Sequence, residues 1–243
     1  MIMDLSDPTR ALTPTLDGPV LAVLARAGHP LTVGEIAERA TRGSEIGIRR
    51  CIARLVDQGL VTATQMGRNV VHELNRDHLA APAAELLADI RLELWKRLRA
   101  ELAGWPEKPV HATVFGSAAR GDGGPDSDID LLLVHRPFPG DETPRASTPA
   151  WLELLAAATG ATQVSRALAQ PFPTANTQAW HASVDALHRS VRRWTGNALH
   201  AVELSAWQWL QLPSSDPLFH EDIRQHGIVV AGATNLPVGE PYA

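Results

Sequence analysis

Between residues 115 and 134 the chain reads Phe115-Gly116-Ser117-Ala118-Ala119-Arg120-Gly121-Asp122 and, after a short interval, Ser127-Asp128-Ile129-Asp130-Leu131-Leu132-Leu133-Val134. Gly116 has no side chain to hold a backbone turn away from a phosphate, and Ser117 offers a hydroxyl and an amide to phosphate oxygens. A turn of this kind usually opens a helix, whose N-terminus favours an anion. The two carboxylates fall two residues apart. Along a strand that spacing sets Asp128 and Asp130 on one face, while Ile129, Leu131 and Leu133 point the other way into a core. Paired carboxylates next to such a turn suit a divalent metal held between protein and phosphate oxygens, the requirement for group transfer from a nucleoside triphosphate. The alternative is an Asp-rich turn before an ordinary buried strand; the Gly116-Ser117 turn at the right distance favours the chemical reading. Gly116 and Gly121 also share the spacing of half a Walker A loop, but the Lys-Ser/Thr that such a loop requires is missing.

The elements that must position these residues alternate between strand and helix. Apolar runs predict strands at Val110 to Phe115, Asp128 to Val134, Ala198 to Leu204 and Gly227 to Val230. Helical spacing predicts helices near Trp151 to Ala158 and Trp180 to Thr195, and Pro137 to Pro149 and Pro171 to Thr177 read as proline-bearing loops. Together they predict an α/β (α+β) domain with a mixed sheet from 108 to 232 and a C-terminal tail over 233–243.

At Phe115 to Val134 the sequence resembles the nucleotidyltransferases of the DNA polymerase beta superfamily. Within it the pattern Gly-Ser, Arg-Gly, Ser-Asp-x-Asp and an apolar strand resembles the bacterial minimal nucleotidyltransferases. The resemblance implies a nucleotidyltransferase fold in which Gly116 and Ser117 contact the triphosphate and Arg120 steadies it. It further implies that Asp128 and Asp130 bind two Mg²⁺ ions. Members of the superfamily commonly have a third carboxylate on a later strand, acting as base toward the attacking hydroxyl. Glu203 is the only acid on the strand Leu199 to Leu204; it fills that place or is a solvent-facing strand residue, in which case the base comes from elsewhere, with Asp185 a candidate, or activity is lost. The expected reaction moves an NMP group from an NTP to a hydroxyl of a protein side chain or RNA. The minimal group leans toward a toxin–antitoxin or defence setting.

The N-terminal part reads differently. Residues before Pro14 mix Pro, Asp and Thr without periodicity and predict a loose tail. Helical spacing follows over Val20 to Ala27. Thr32 with Glu35 makes a capping box for a second helix through Ala40, and Ser44 caps a third that ends at Gly59. Leu60 to Gln65 and Asn69 to Leu74 read as a hairpin around Met66-Gly67-Arg68. Three helices and a hairpin predict a winged helix-turn-helix domain over 15–80. From Arg39 to Arg68 six arginines face Glu45 and Asp57, a local charge of +4 in a chain of net charge −5. Arg49, Arg50 and Arg54 on the third helix, with Arg68 at the wing tip, are candidate DNA contacts; the alternatives are a solvated helix face or a protein-docking module. A linking helix over 81–107 follows, with Leu86, Ile90, Leu94, Leu98 and Leu102 spaced by four. Such a stripe packs against a neighbour or a second copy, which would make the protein a homodimer. Trp105-Pro106-Glu107-Lys108-Pro109 is the expected domain boundary.

Composition sets the outer bounds. With 44% hydrophobic and 20% charged residues in 243, the chain is an ordinary globular protein with room for two domains. One cysteine, Cys51, excludes an intramolecular disulfide and a cysteine-rich zinc site, and a reducing cytoplasm fits it. The beginning of the chain has no signal-peptide pattern and no run approaches a membrane span. The ten histidines contain no His-x-x-x-His motif, and Trp180, Trp194, Trp207 and Trp209 read as packing residues. The competing reading is a DNA-binding transcriptional regulator whose nucleotidyltransferase domain senses nucleotides or is inactive.

Overall fold

The computed structural model describes residues 2–141 and 173–232. The expected helix at Trp151 to Ala158, most of the loop at Pro137 to Pro149 and the tail over 233–243 lie outside the described residues. The chain divides into two compact units, residues 3–94 and residues 95–243 with 1–2.

In the first unit a 3-10 turn, Pro8–Ala11, precedes α1 (Asp17–Arg26), α2 (Val33–Arg39) and α3 (Glu45–Asp57). An antiparallel hairpin of β1 (Val61–Met66) and β2 (Asn69–Leu74) follows. The α2 cap forms as its residue types require: the Glu35 amide donates to Thr32 Oγ1, and the Glu35 carboxylate accepts from the Thr32 amide at 2.7 Å. Just before α2, Leu31 bridges His72 of β2 through two backbone hydrogen bonds of 2.9 and 2.7 Å, so the hairpin is anchored to the helical part. Val20, Leu24, Leu31, Ile36, Ile48, Ile52 and Val61 form one core. The opening residues are not the loose tail that their composition predicts. Leu5, Asp7 and Thr9 are buried, and Asp7 accepts from Arg42 Nε at 2.5 Å while Thr9 Oγ1 donates to it. A proline-rich segment without periodicity can still be ordered by a few polar anchors, which hydrophobic spacing does not register.

Helix α4 (Ala81–Ala103) contains the boundary between the units at Leu94/Trp95. It ends at Ala103, just before Gly104 and the stretch Trp105 to Pro109. Leu94, Leu98 and Leu102 are buried within the chain, and only Leu86 of that stripe is strongly exposed, at 72%. Most of the leucine stripe therefore serves the chain's own packing.

The second unit is built on a four-stranded mixed sheet of order β5-β4-β3-β6: β3 (His111–Phe115), β4 (Ile129–His135), β5 (Leu199–Ser205) and β6 (Ile228–Gly232). Central β3 pairs antiparallel with β4 and β6, and β4 pairs parallel with β5. The short α5 (Gly116–Arg120) follows β3, and α6 (Thr174–Thr195) precedes β5. Helix α6 begins inside the stretch Pro171 to Thr177 that the prolines predict to be a loop. Two further helices, α7 (Ala206–Ser215) and α8 (Pro217–His226), lie between β5 and β6. Pairing sorts the side chains by face. Phe115, Asp130 and His200 share one side with Leu132, Val134, Val202 and Leu204; Ile129, Leu131, Leu133 and Glu203 share the other. The first side is covered by α7 and α8, whose Leu212 and Ile223 pack with Leu132 and Val134. The second side receives α6, whose buried Trp180 bonds to Glu203. A mixed sheet flanked by helices in this way fits a nucleotidyltransferase fold. None of the described helices is long and apolar enough to cross a membrane.

Candidate active site

The site is built where β3 runs out beside the start of β4. Phe115, the last residue of β3, is the register partner of Asp130, so the turn that follows lies next to that carboxylate. Gly116 takes φ +65°, a left-handed backbone that disfavours side chains. A Cβ built on Gly116 would stand 2.5 Å from Asp130 Oδ2. The glycine is thus required twice, by its backbone angle and by the carboxylate pressed against its Cα. Phe115 occupies the N-cap of α5 and has no side-chain acceptor, so the first amides of that helix receive no side-chain cap. The helix is a single turn, closed at Gly121 (φ +78°), whose amide donates to Ser117 O at 2.8 Å.

The loop between α5 and β4 folds back over this turn. A Cβ on Gly123 would lie 2.6 Å from Ser117 Oγ and 3.0 Å from Ser127 Oγ, so three small residues meet there. Buried Asn197 donates from Nδ2 to Ser127 O at 3.0 Å, and the Ile129 amide donates to Ala198 O at 2.9 Å. These bonds fix the approach to β4 on which Asp128 stands. Asp128 is exposed and Asp130 half-buried; Asp128 immediately precedes Ile129, the first residue of β4, and Asp130 is the second residue of that strand.

Hard carboxylate oxygens beside an uncapped glycine turn are the donor set that Mg²⁺ takes, with phosphate oxygens and water completing its coordination. The missing side chain at Gly116 lets the Asp130 carboxylate stand against the turn, and these residues could hold a phosphate-bound ion. Among the described residues no three His, Cys, Asp or Glu side chains converge as a ready-made cage. An ion here would therefore depend on the substrate's own oxygens.

The structure does not bring Glu203 to this place. Its register partner on β4 is Leu133, on the opposite side of the sheet from Asp130. There Glu203 Oε2 accepts from Trp180 Nε1 at 2.6 Å, and Trp180 packs edge-on against Trp105 with ring centroids 5.1 Å apart. Glu203 is a hydrogen-bond acceptor for a buried indole, neither a solvent-facing strand residue nor a neighbour of the aspartates. Asp185 is exposed on α6, the helix that packs on the Glu203 side. The β5 residue that does meet Asp130 is its register partner His200, whose Nδ1 lies 3.1 Å from Asp130 Oδ1. Sequence reasoning passed over His200. Its only signal is position on the later strand, which means nothing until the β4–β5 register is known.

Arg120 sits near the turn, but its guanidinium is engaged. Nε donates to Asp122 and Nη1 to Asp222 of α8, each at 3.1 Å. The bond to Asp122, with both carboxylates' charge, holds its pKa above the ordinary value. In this state it clips α5 to α8.

In the first unit, Arg49 of α3 and Arg68 of the hairpin turn both line a cleft of about 510 Å³, together with Thr32, Ala53, Asn69 and Val70. Arg50 is exposed on the same helix. Arg54 is not brought to that cleft: it pairs with Asp17 at the start of α1. Asp17 also accepts from Cys51, and burial together with that carboxylate pushes the thiol up to about 12.

No curated protein and no solved structure matches the chain. The family model of the nucleotidyltransferase domain matches residues 93–160, the segment that carries the Gly116-Ser117 turn and both aspartates, and this match supports transfer of a nucleotidyl group as the general activity.

Proposed function

We propose that the second unit is a Mg²⁺-dependent nucleotidyltransferase that moves an NMP group from an NTP to a hydroxyl on a protein side chain or RNA, releasing pyrophosphate. The observation that supports this reading is the closeness of the Asp130 carboxylate to the Gly116 turn, a carboxylate suited to a divalent ion beside a turn suited to a phosphate. The amides of the uncapped turn and the Ser117 hydroxyl bind phosphate oxygens and orient the triphosphate. Asp128 and Asp130 hold Mg²⁺, which when bound neutralises phosphate charge as the leaving pyrophosphate develops. Positioning and electrostatics supply the rate, with no covalent enzyme intermediate. Arg120 reaches the phosphates only by leaving Asp122 or Asp222.

The test is incubation with labelled ATP, CTP, GTP or UTP and Mg²⁺, alone and with lysate or bulk tRNA. Label is expected on a protein or RNA acceptor with the native chain and not with Asp128→Ala or Asp130→Ala. Equal labelling by those variants would overturn the reading. A toxin–antitoxin or defence setting follows from the same resemblance, and a labelled acceptor encoded beside this chain would support it.

A second reading concerns the first unit alone. The cleft between α3 and the hairpin, with Arg49 and Arg68 on its walls and Arg50 exposed nearby, supports a winged helix-turn-helix that binds DNA. This makes the protein a regulator in which the other unit transfers or senses nucleotides. Retention of the chain's own promoter DNA that falls with salt, and is lost in Arg50→Ala with Arg68→Ala, supports it.

A further inference from the structure

We infer that His200 is a metal ligand, supplying an imidazole nitrogen to the divalent ion held by Asp130; the inference rests on the nucleotidyltransferase reading and deepens it. Parallel pairing makes His200 the register partner of Asp130, and both side chains leave the same face of the sheet. On that face β5 otherwise presents Val202 and Leu204, which are packed into the apolar core and hold no donor atom. Glu203, the carboxylate of the strand, points to the other side and is bonded to Trp180. His200 is therefore the one donor side chain that β5 offers to the aspartates. Its side chain is 64% exposed against 26% for Asp130, so an ion arriving with a nucleotide from solvent can reach both.

The spacing is right for shared ligation. Donors on adjacent corners of an octahedron, about 2.1 Å from the ion, stand about 3.0 Å apart. Nδ1 of His200 and Oδ1 of Asp130 are 3.1 Å apart. An ion there takes the place of the hydrogen shared by the two atoms, which leaves to solvent as a proton, and binds Nδ1 of the ring in its neutral form with the remaining proton on Nε2. Phosphate oxygens and water supply the remaining corners. An imidazole donor changes what the site prefers. Nitrogen ligands raise affinity for Mn²⁺, Co²⁺ and Ni²⁺ relative to Mg²⁺, which favours oxygen alone.

The experiment loads the full chain with Mn²⁺ and inorganic triphosphate, whose oxygens complete the ion's coordination and carry no nitrogen, and needs no turnover. Electron spin-echo modulation of the bound Mn²⁺ is expected to show a directly ligated nitrogen in the native protein and none in His200→Gln, which retains Mn²⁺ about ten-fold more weakly. In His200→Asp the preference for Co²⁺ over Mg²⁺, read by calorimetric titration, is expected to fall by about ten-fold or more. Mn²⁺ that is bound and lost in Asp130→Asn, but carries no nitrogen coupling, overturns the His200 assignment and leaves the aspartate site standing. Nitrogen coupling that persists in His200→Gln overturns it equally. Mn²⁺ binding that is absent, or indifferent to Asp130→Asn, overturns the assignment and the metal site together. Circular dichroism of each variant separates these outcomes from misfolding.

Discussion

Gly116 shows how one residue ties backbone geometry to chemistry. A side chain there must adopt the left-handed region, which costs roughly 1–2 kcal/mol, and must also displace the Asp130 carboxylate, since its Cβ would lie 2.5 Å from Oδ2. Gly116→Ala is accordingly expected to lower stability by about that amount and nucleotidyl transfer by about a hundred-fold, the usual consequence of moving a reacting group by an ångström. Thermal unfolding and kcat/KM measured on one preparation check both; normal transfer with lowered stability would separate the turn from the chemistry. His111, on the same face of the sheet but buried, makes a different prediction. Its ring stacks on Trp209 with centroids 5.3 Å apart, and burial holds its pKa down at about 4 against an ordinary 6.5. The folded state thus favours the neutral ring. Its contribution is complete above pH 6.5 and is lost as pH falls toward 4, by about 3 kcal/mol in all. His111→Phe keeps the stacking and removes the titration. Urea unfolding between pH 7 and pH 4.5 is expected to show a shallower loss of stability for the variant, and equal slopes would remove His111 as the cause.

At the scale of elements, the sheet decides what each strand residue can do. Glu203→Gln keeps an acceptor for the Trp180 indole and is expected to leave transfer unchanged, whereas Glu203→Ala strands a buried N–H at a cost of about 1–3 kcal/mol. Loss of transfer in Glu203→Gln with stability intact would return Glu203 to the chemistry. The strand that carries it was legible from its apolar alternation, as were β3, β4 and β6 to within a residue or two. The phase of β5 against β4 was not, because register between strands seventy residues apart is set by packing of the finished sheet and a slip of one exchanges the faces. Glu203 and His200 differ in that parity and also stand three positions apart along β5. The Gly116 turn and the Asp128/Asp130 spacing were readable because both are local. Helices α7 and α8 were missed although their starts are written plainly. Ser205 with Gln208 forms a capping box, and Asp216 caps a helix whose first residue is Pro217. Pro213 lies inside α7 and Pro217 opens α8, and helices this short announce themselves by caps more than by periodicity.

Across the whole molecule the charge is uneven: the chain carries −5 overall while residues 39–68 carry +4. That patch is smaller than the count suggests, because Arg42 is bonded to Asp7 and Arg54 to Asp17. Of the other four, Arg39 is exposed at the end of α2, away from the residues that line the cleft, Arg49 and Arg68 line it, and Arg50 is exposed on α3; Arg49 shares its guanidinium with Glu45 at 2.8 Å in an exposed pair that weighs little. Three phosphate contacts predict a modest salt dependence. The logarithm of the DNA association constant should fall against the logarithm of salt with a slope of about −2.7, so that raising salt from 0.1 to 0.3 M weakens binding by roughly 20-fold. Arg50→Ala with Arg68→Ala is expected to reduce the slope to about −0.9. Arg54→Ala is expected to leave it where it is, since its guanidinium already neutralises Asp17. Fluorescence anisotropy on a labelled promoter duplex measures each slope. A native slope near zero would remove DNA as the partner, and a slope that drops in Arg54→Ala as much as in the double variant would show that the ion pair with Asp17 opens on binding.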